Sequence, residues 1–175
     1  VGPSWVGDMM MSQSLYRTLR ARYPQAIIDV MAPAWCRPLL SRMPEVNEAI
    51  PMPLGHGALA IGERRKLGHS LRERRYDRAY VLPNSFKSAL VPFFANIPLR
   101  TGWRGEMRYG LLNDARVLDK DAWPLMVERY VALAYDNGVM RCAKDLPQPL
   151  LWPQLQVNEG EKSQACSAFN LSNDR

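Results

Sequence analysis

Long apolar runs are missing from this 175-residue chain. No stretch approaches the roughly 18 apolar residues that a membrane-crossing helix needs. The opening VGPSWVGD has neither the basic start nor the apolar core of a secretory leader. Cysteine is sparse: Cys36, Cys142 and Cys166 are odd in number, widely spaced and form no CxxC, which argues against a disulfide framework and for a reducing cytoplasm. Histidine is sparser, with only His56 and His69, so no His/Cys metal site and no metal or cofactor is expected. The chain also lacks GxGxxG. Asp29 lies about where the acidic residue of a dinucleotide fingerprint would stand, but the glycines before it do not match, so an oxidoreductase domain is not supported.

What is present is ordinary for a globular α/β domain: 47% hydrophobic and 23% charged residues, over a length that suits one domain burying roughly 70% of its unfolded surface. The first residue is Val, and the chain reads as starting inside an element, which suggests a piece of a longer protein. The net charge of +6 is local. Residues 59–78 hold seven basic groups against three acidic, and residues 100–108 hold Arg100, Arg104 and Arg108 against Glu106, so these two segments account for the whole excess. A concentrated positive surface suits phosphates, sugar acids, nucleic acid or acidic lipid; the alternative is a solvated helix face with i,i+4 pairs.

Strands and helices alternate along the chain. Val1 reads as a strand end and 2–7 as a loop. A helix is predicted over 8–22, a strand over 26–32, a short helix over 35–42 and an edge strand over 48–52. A Gly-containing loop leads to a basic helix over 59–75. Then follow a strand over 77–83, a helix from a cap at Asn84 or Ser85 to about Ala95, and a short strand over 99–103. An irregular stretch covers 104–125, a helix covers 124–138 with Gly138 at its end, and a Pro-rich strap precedes a last helix over 159–168. This pattern predicts a Rossmann-like, doubly wound parallel sheet. In the usual strand order the first and fourth strands are neighbours, and ligands bind at that switch point. The loops GPSWVGD and PNSFKS then face each other across the crevice.

Four constellations carry chemistry. In the first, Ser4 and Gly7 sit in a loop whose backbone can approach a ligand, and Asp8 opens a helix whose dipole favours its ionised form. Asp8 reads either as a helix cap or as a general base toward an alcohol, a role worth roughly 10²–10⁴-fold in rate. In the second, Asn84, Ser85 and Lys87 open a helix after a buried strand, as an anion cradle or as a plain cap with an exposed lysine. In the third, Trp103, Arg104 and Arg108 interleave an aromatic ring with guanidinium groups, a combination that suits sugar acids and phosphates, single-stranded nucleic acid, or an ordinary surface loop. In the fourth, Asp119-Lys120-Asp121 has the form of a metal–nucleotide DxD but lies in an irregular stretch, and no metal is assigned to it. Glu128, Arg129 and Tyr130 read as structural.

Five long segments carry a resemblance: GPSWVGDMMMSQSLYRTL, MPEVNEAIPMPLGHG, RRYDRAYVLPNSFKSALVPFFA, RTGWRGEMRYGLLND and LMVERYVALAYD. With them the chain resembles the lipopolysaccharide heptosyltransferases of glycosyltransferase family 9 over essentially its whole length. The resemblance implies a GT-B fold, in which an amino-terminal domain holds the acceptor and a carboxyl-terminal domain holds ADP-heptose. It implies inverting transfer of a heptose to heptosyl–Kdo–lipid A, with Asp8 as the base. It implies that Arg64, Arg65, Lys66, Lys87, Arg104 and Arg108 lie in segments facing that anionic acceptor. Residues 1–150 would then form the acceptor domain, and 151–175 the start of a junction to a donor domain. Relatives begin with a Met-led strand of which only Val1 is present here. The partners implied are ADP-heptose and the lipid-borne acceptor, and not nucleic acid. The setting implied is cytoplasmic, with peripheral inner-membrane contact through the basic helix and Trp103.

Overall fold

The computed structural model describes residues 1–54 and 57–171. Part of the Gly-containing loop (55–56) and the last four residues, at the expected junction, lie outside the described residues. Helix α1 (Val6–Arg22) comes first, then strand β1 (Asp29–Ala32), helix α2 (Arg37–Leu40) and strand β2 (Glu48–Pro51). Helix α3 (Ile61–Ser70), strand β3 (Arg78–Tyr80), helix α4 (Leu90–Phe94) and strand β4 (Leu99–Trp103) follow. Strand β5 (Asp114–Arg116), helix α5 (Met126–Ala132) and helix α6 (Glu159–Ala168) complete the order.

All strand pairs are parallel: β1 with β2, and β3 with β4 with β5. Val1 and Gly2 stitch the two groups together. Val1 N donates to Tyr80 O at 2.7 Å, Leu82 N donates to Val1 O at 3.1 Å, and Gly2 N donates to Met31 O at 2.9 Å. A residue that gives to one neighbour position and takes from the position two further on is paired in the parallel sense. The spatial order is therefore β2, β1, Val1–Gly2, β3, β4, β5, the doubly wound order expected. Alternation along β1 and β3 explains the separation of the core into two faces. On one face α1 and α5 pack with Met9, Leu15, Leu19, Val30, Val127 and Val131 buried between them and the sheet. On the other, α3 and α4 pack with Met31, Ile50, Ala79, Val91 and Ile97.

Several elements differ from the predicted bounds, each for a local reason. Residues 26–28 precede β1, and Arg20 holds this turn by donating to Pro24 O, Ala26 O and Glu45 O. The basic helix stops at Ser70 and closes with a 3₁₀ turn over 72–74, ending where Arg75 takes φ 50°. Helix 124–138 shortens because after Ala132 the bonds switch to the i−3 pattern at Leu133, Ala134 and Tyr135, well before Gly138. Strand β5 lies in the stretch predicted to be irregular. Its sequence, Asp-Ala-Arg, carries no β-branched signal; a buried pair stabilises it, with Arg116 2.7 Å from Asp114 and also donating to Ala132 O.

Helices α3 and α4 approach each other closely at Gly68 of α3. A methyl group there would lie 2.6 Å from Phe94 Cβ and 2.8 Å from Val91 O, atoms that cannot swing aside. Gly68→Ala is expected to lower unfolding free energy by about 1–3 kcal/mol, the usual cost of overpacking, although Ala is the better helix former. Urea denaturation checks this, and an unchanged or raised stability would mean that α3 and α4 do not pack this tightly.

Candidate functional site

The parallel order fixes which loops meet. Every βα loop leaves the carboxyl edge of the sheet, and Val1–Gly2 places GPSWVGD between the loops that follow β1 and β3. Helix α1 starts at Val6, two residues earlier than predicted, with Trp5 as its extended cap residue and no side-chain cap bond. Asp8 therefore stands inside the first turn and does not cap it. Its carboxylate, half-buried, takes part in no hydrogen bond or ion pair among the described residues. The α1–α5 packing brings Tyr130 near it. Burial raises the Tyr130 phenol far above its ordinary value, and the negative charge of Asp8 adds to that shift. The Asp8 carboxylate thus lies within electrostatic reach of a phenol whose burial favours its neutral form. Sequence reasoning assigned Tyr130 only a structural part, because its nearness to Asp8 depends on the packing of two helices far apart in the chain.

Other candidates separate into open and enclosed groups. Gly7 is exposed, and the space where its side chain would be is empty. Ser4 offers its carbonyl to Trp35 Nε1 at 2.9 Å, with Cys36 Sγ at 3.9 Å. Arg104 is exposed and Lys87 half-buried, and neither side chain has a partner among the described residues. Arg65 is likewise exposed, while Lys66 pairs with Glu63 at 3.0 Å on the surface of α3.

Three residues expected at the surface are inside. Arg64, 4% exposed, donates to Leu59 O and Ala58 O and rests on Met52 sulfur, so it shapes the loop before α3. Trp103, 6% exposed, donates Nε1 to Arg129 O and packs against Trp123, so its ring is not open for stacking. Arg108, 2% exposed, donates to Pro83 O, Ser88 Oγ, Asn84 Oδ1 and Trp103 O. Its Nε has no partner, and burial lowers its pKa.

Arg108 acts as a staple on the PNSFKS loop. Gly105 completes the grip: a side chain there would run into Asn84 O, so only glycine fits. Ser85 stands at the expected cap position with extended backbone, but its side chain makes no cap bond. Glu106 instead supplies the acceptor, taking the Phe86 N–H at 2.6 Å. The element it caps is a 3₁₀ turn of four residues leading into the five-residue α4, too short for a strong dipole site. Asp119 is spent on its own turn, accepting from the N–H groups of Asp121 and Ala122. No group of three His, Cys, Asp or Glu that could hold a metal ion occurs among the described residues. A cavity of about 1090 Å³ is lined by residues of β1 and β3 together with Val1, and Asp8 is not part of its lining.

The profile of glycosyltransferase family 9 (heptosyltransferase) matches residues 64–175. The chain belongs to this family. Among curated relatives, the lipopolysaccharide heptosyltransferase 2 of Salmonella typhimurium is 90% identical over all 175 residues, and that of Escherichia coli 88%. The lipooligosaccharide heptosyltransferase 2 of Haemophilus influenzae is 58% identical over 169 residues, 97% of this chain and 48% of its own length. The chain spans about half the length of the curated relatives it matches. The solved structure of E. coli ADP-heptose LPS heptosyltransferase II superposes with a TM-score of 0.90 at 84% identity, over 99% of this chain and 50% of that one. A family 9 glycosyl transferase from Veillonella parvula shares the fold, with a TM-score of 0.75 at 15% identity over 97% of this chain and 48% of that one. The α/β architecture is that of one Rossmann-like half of a GT-B glycosyltransferase.

This family 9 domain gives a sharp contrast between two arginines of one loop. Arg108→Met leaves Trp103 O without the guanidinium donor and Pro83 O with Ser88 Oγ alone, and is expected to cost at least about 2 kcal/mol. Arg104 makes no side-chain hydrogen bond or ion pair among the described residues, and Arg104→Ala is expected to stay within about 0.5 kcal/mol of the parent. Chemical denaturation of both variants checks this, and equal effects would contradict the separation into a staple and a free cation.

Proposed function

We propose that this chain is the acceptor-side domain of an inverting heptosyltransferase that moves L-glycero-D-manno-heptose from ADP-heptose to the heptosyl–Kdo–lipid A inner core of lipopolysaccharide. The carrying observation is the Asp8 carboxylate: in the first turn of α1, uncapping, unpaired and at the switch point of the sheet. The family and the names of the near-identical relatives support the donor and acceptor classes.

The proposed chemistry needs one proton transfer. The acceptor hydroxyl rests against Asp8, which takes its proton as the oxygen attacks the anomeric carbon from the face opposite ADP. The C–O bond to the acceptor forms, the bond to the diphosphate breaks, and the configuration inverts with no covalent enzyme intermediate. Lys87, Arg104 and Arg65, cations not paired among the described residues, hold the acid groups of the acceptor and aim the hydroxyl; such positioning is worth several kcal/mol, up to roughly 7–11 at the limit. Residues 151–171 leave the domain through a strap. Gln13 fastens it by donating to Gln154 O and accepting from Gln154 N, and the exposed helix α6 follows. In this reading they lead to a second domain that holds the ADP.

Asp8→Asn in the two-domain enzyme is expected to lower kcat by at least about 10²-fold with acceptor KM little changed. Steady-state kinetics with a coupled ADP assay checks it, and a near-parental kcat would remove Asp8 as the base. In the same assay the 175 residues alone are expected to release no ADP from ADP-heptose, and clear turnover would show that no second domain is needed. The reading also places the domain at the cytoplasmic face of the inner membrane. No helix among the described residues is long and apolar enough to cross a membrane, so contact would be peripheral. Co-sedimentation with acidic-lipid vesicles at low salt is the expected outcome, and a protein left entirely in the supernatant would contradict it.

A further inference from the structure

The acceptor reading leaves a need unmet inside the domain. Sugars are held by cations at their acid groups and by flat apolar surfaces at their ring faces, and Trp103, the ring the sequence offered, is enclosed. We propose that Trp35 supplies the flat surface, as a stacking platform for a sugar ring of the acceptor beside Asp8. The proposal rests on the acceptor-domain reading and deepens it.

Three observations carry it. First, Trp35 is fastened to the loop that bears Asp8. Its Nε1 donates to Ser4 O at 2.9 Å, four residues before the carboxylate, so the edge of the ring is fixed against GPSWVGD. Second, the ring remains open. Trp35 is 56% exposed, whereas Trp103, whose N–H is equally satisfied by a carbonyl, and its neighbour Trp123 are 6% and 3% exposed. A tryptophan kept only to tie two loops together would lose little by packing its faces, as those two do. Third, the turn that carries it cannot rotate the ring inward. Trp35 lies in the 3₁₀ turn Ala34–Cys36 directly after β1, and the next residue, Cys36, is fully buried in the α1 face of the core. An indole held at one edge and more than half exposed offers a large contact area at small entropic cost.

Its position fits the task. The turn leaves the carboxyl end of β1, the strand bonded to Gly2, so Trp35 flanks one side of the Asp8 loop while the PNSFKS loop with Lys87 flanks the other. A sugar acid lying across the crevice then meets the ring on one side and the ammonium on the other, with its hydroxyl over the carboxylate.

The test uses the 175-residue chain and a heptosyl–Kdo disaccharide as probe, with Kd from calorimetry and indole N–H shifts from NMR. Trp35→Ala is expected to weaken binding roughly tenfold, as loss of an aromatic anchor does. Trp35→Phe is expected to stay within about threefold, because it keeps a ring though it loses the bond to Ser4. Ala and Phe weakening binding alike would show a staple for Ser4 and overturn the platform. The parent chain guards against a variant that fails to fold: its Trp35 indole resonance, identified by its loss in Trp35→Phe, is expected to shift on titration. Binding with that resonance unmoved, or with Trp35→Ala as tight as the parent, overturns the platform and leaves the acceptor reading standing. No disaccharide binding by the parent chain at millimolar concentration overturns both.

Discussion

Three main-chain hydrogen bonds around two residues set the geometry of the crevice. Val1 is held between Tyr80 O and Leu82 N, and Gly2 is held by Met31 O. These bonds join two small parallel sheets into one ordered surface, and they fix the point from which the next loop departs. A methyl group on Gly2 would approach Met9 Cε to 2.6 Å and Val30 Cγ1 to 3.1 Å, so the strand end lies directly against the buried Met9 of α1. The helix that carries Asp8 is thereby referenced to the sheet at its first turn. Farther along, its polar residues are held within the fold: Ser12 bonds Met9 O and Tyr16, Thr18 bonds Ser14 O, and Gln13 bonds Glu45 and both polar groups of the Gln154 backbone. A helix fixed in this way can present one unpaired carboxylate without drifting, which is what pre-organisation of a base requires.

The same economy of partners divides the charged residues into two kinds. Arg64, Arg108 and Arg116 are buried and donate to carbonyls, with Arg116 also paired to Asp114; they shape loops and an edge strand. Arg65, Lys87 and Arg104 have no such duties and remain available to an anionic ligand. The local positive charge read from the sequence is therefore partly internal scaffolding. Removing a buried staple would disturb binding through the loop it shapes, while removing a free cation would disturb binding directly.

Much of the fold was legible because its signals are local. The short apolar stretch that contains β1, the 3.6-residue stripe of α1 and the alternation of strands with helices give the layered sheet and its switch point. What was not legible depended on contacts distant in sequence. Strand β5 is Asp-Ala-Arg and is held by the buried Arg116, which pairs with the half-buried Asp114 and donates to Ala132 O. The 104–108 loop looks like a surface of arginine and tryptophan, yet Trp103 finds Arg129 O and Arg108 finds four acceptors across two loops. No spacing rule distinguishes Arg104 from Arg108; only the path of the backbone around Asn84 does. Whether Asp8 caps the helix was likewise undecidable from spacing, and α1 starting two residues earlier than its sequence suggested takes Asp8 off the cap position.

The most direct measurement is the crystal structure of the two-domain enzyme with a heptosyl–Kdo acceptor bound. An Asp8 carboxylate oxygen about 2.6–3.2 Å from the acceptor hydroxyl to be glycosylated is the predicted result. An acceptor seated with that hydroxyl against a different base, and Asp8 out of reach even through one water, would contradict the account.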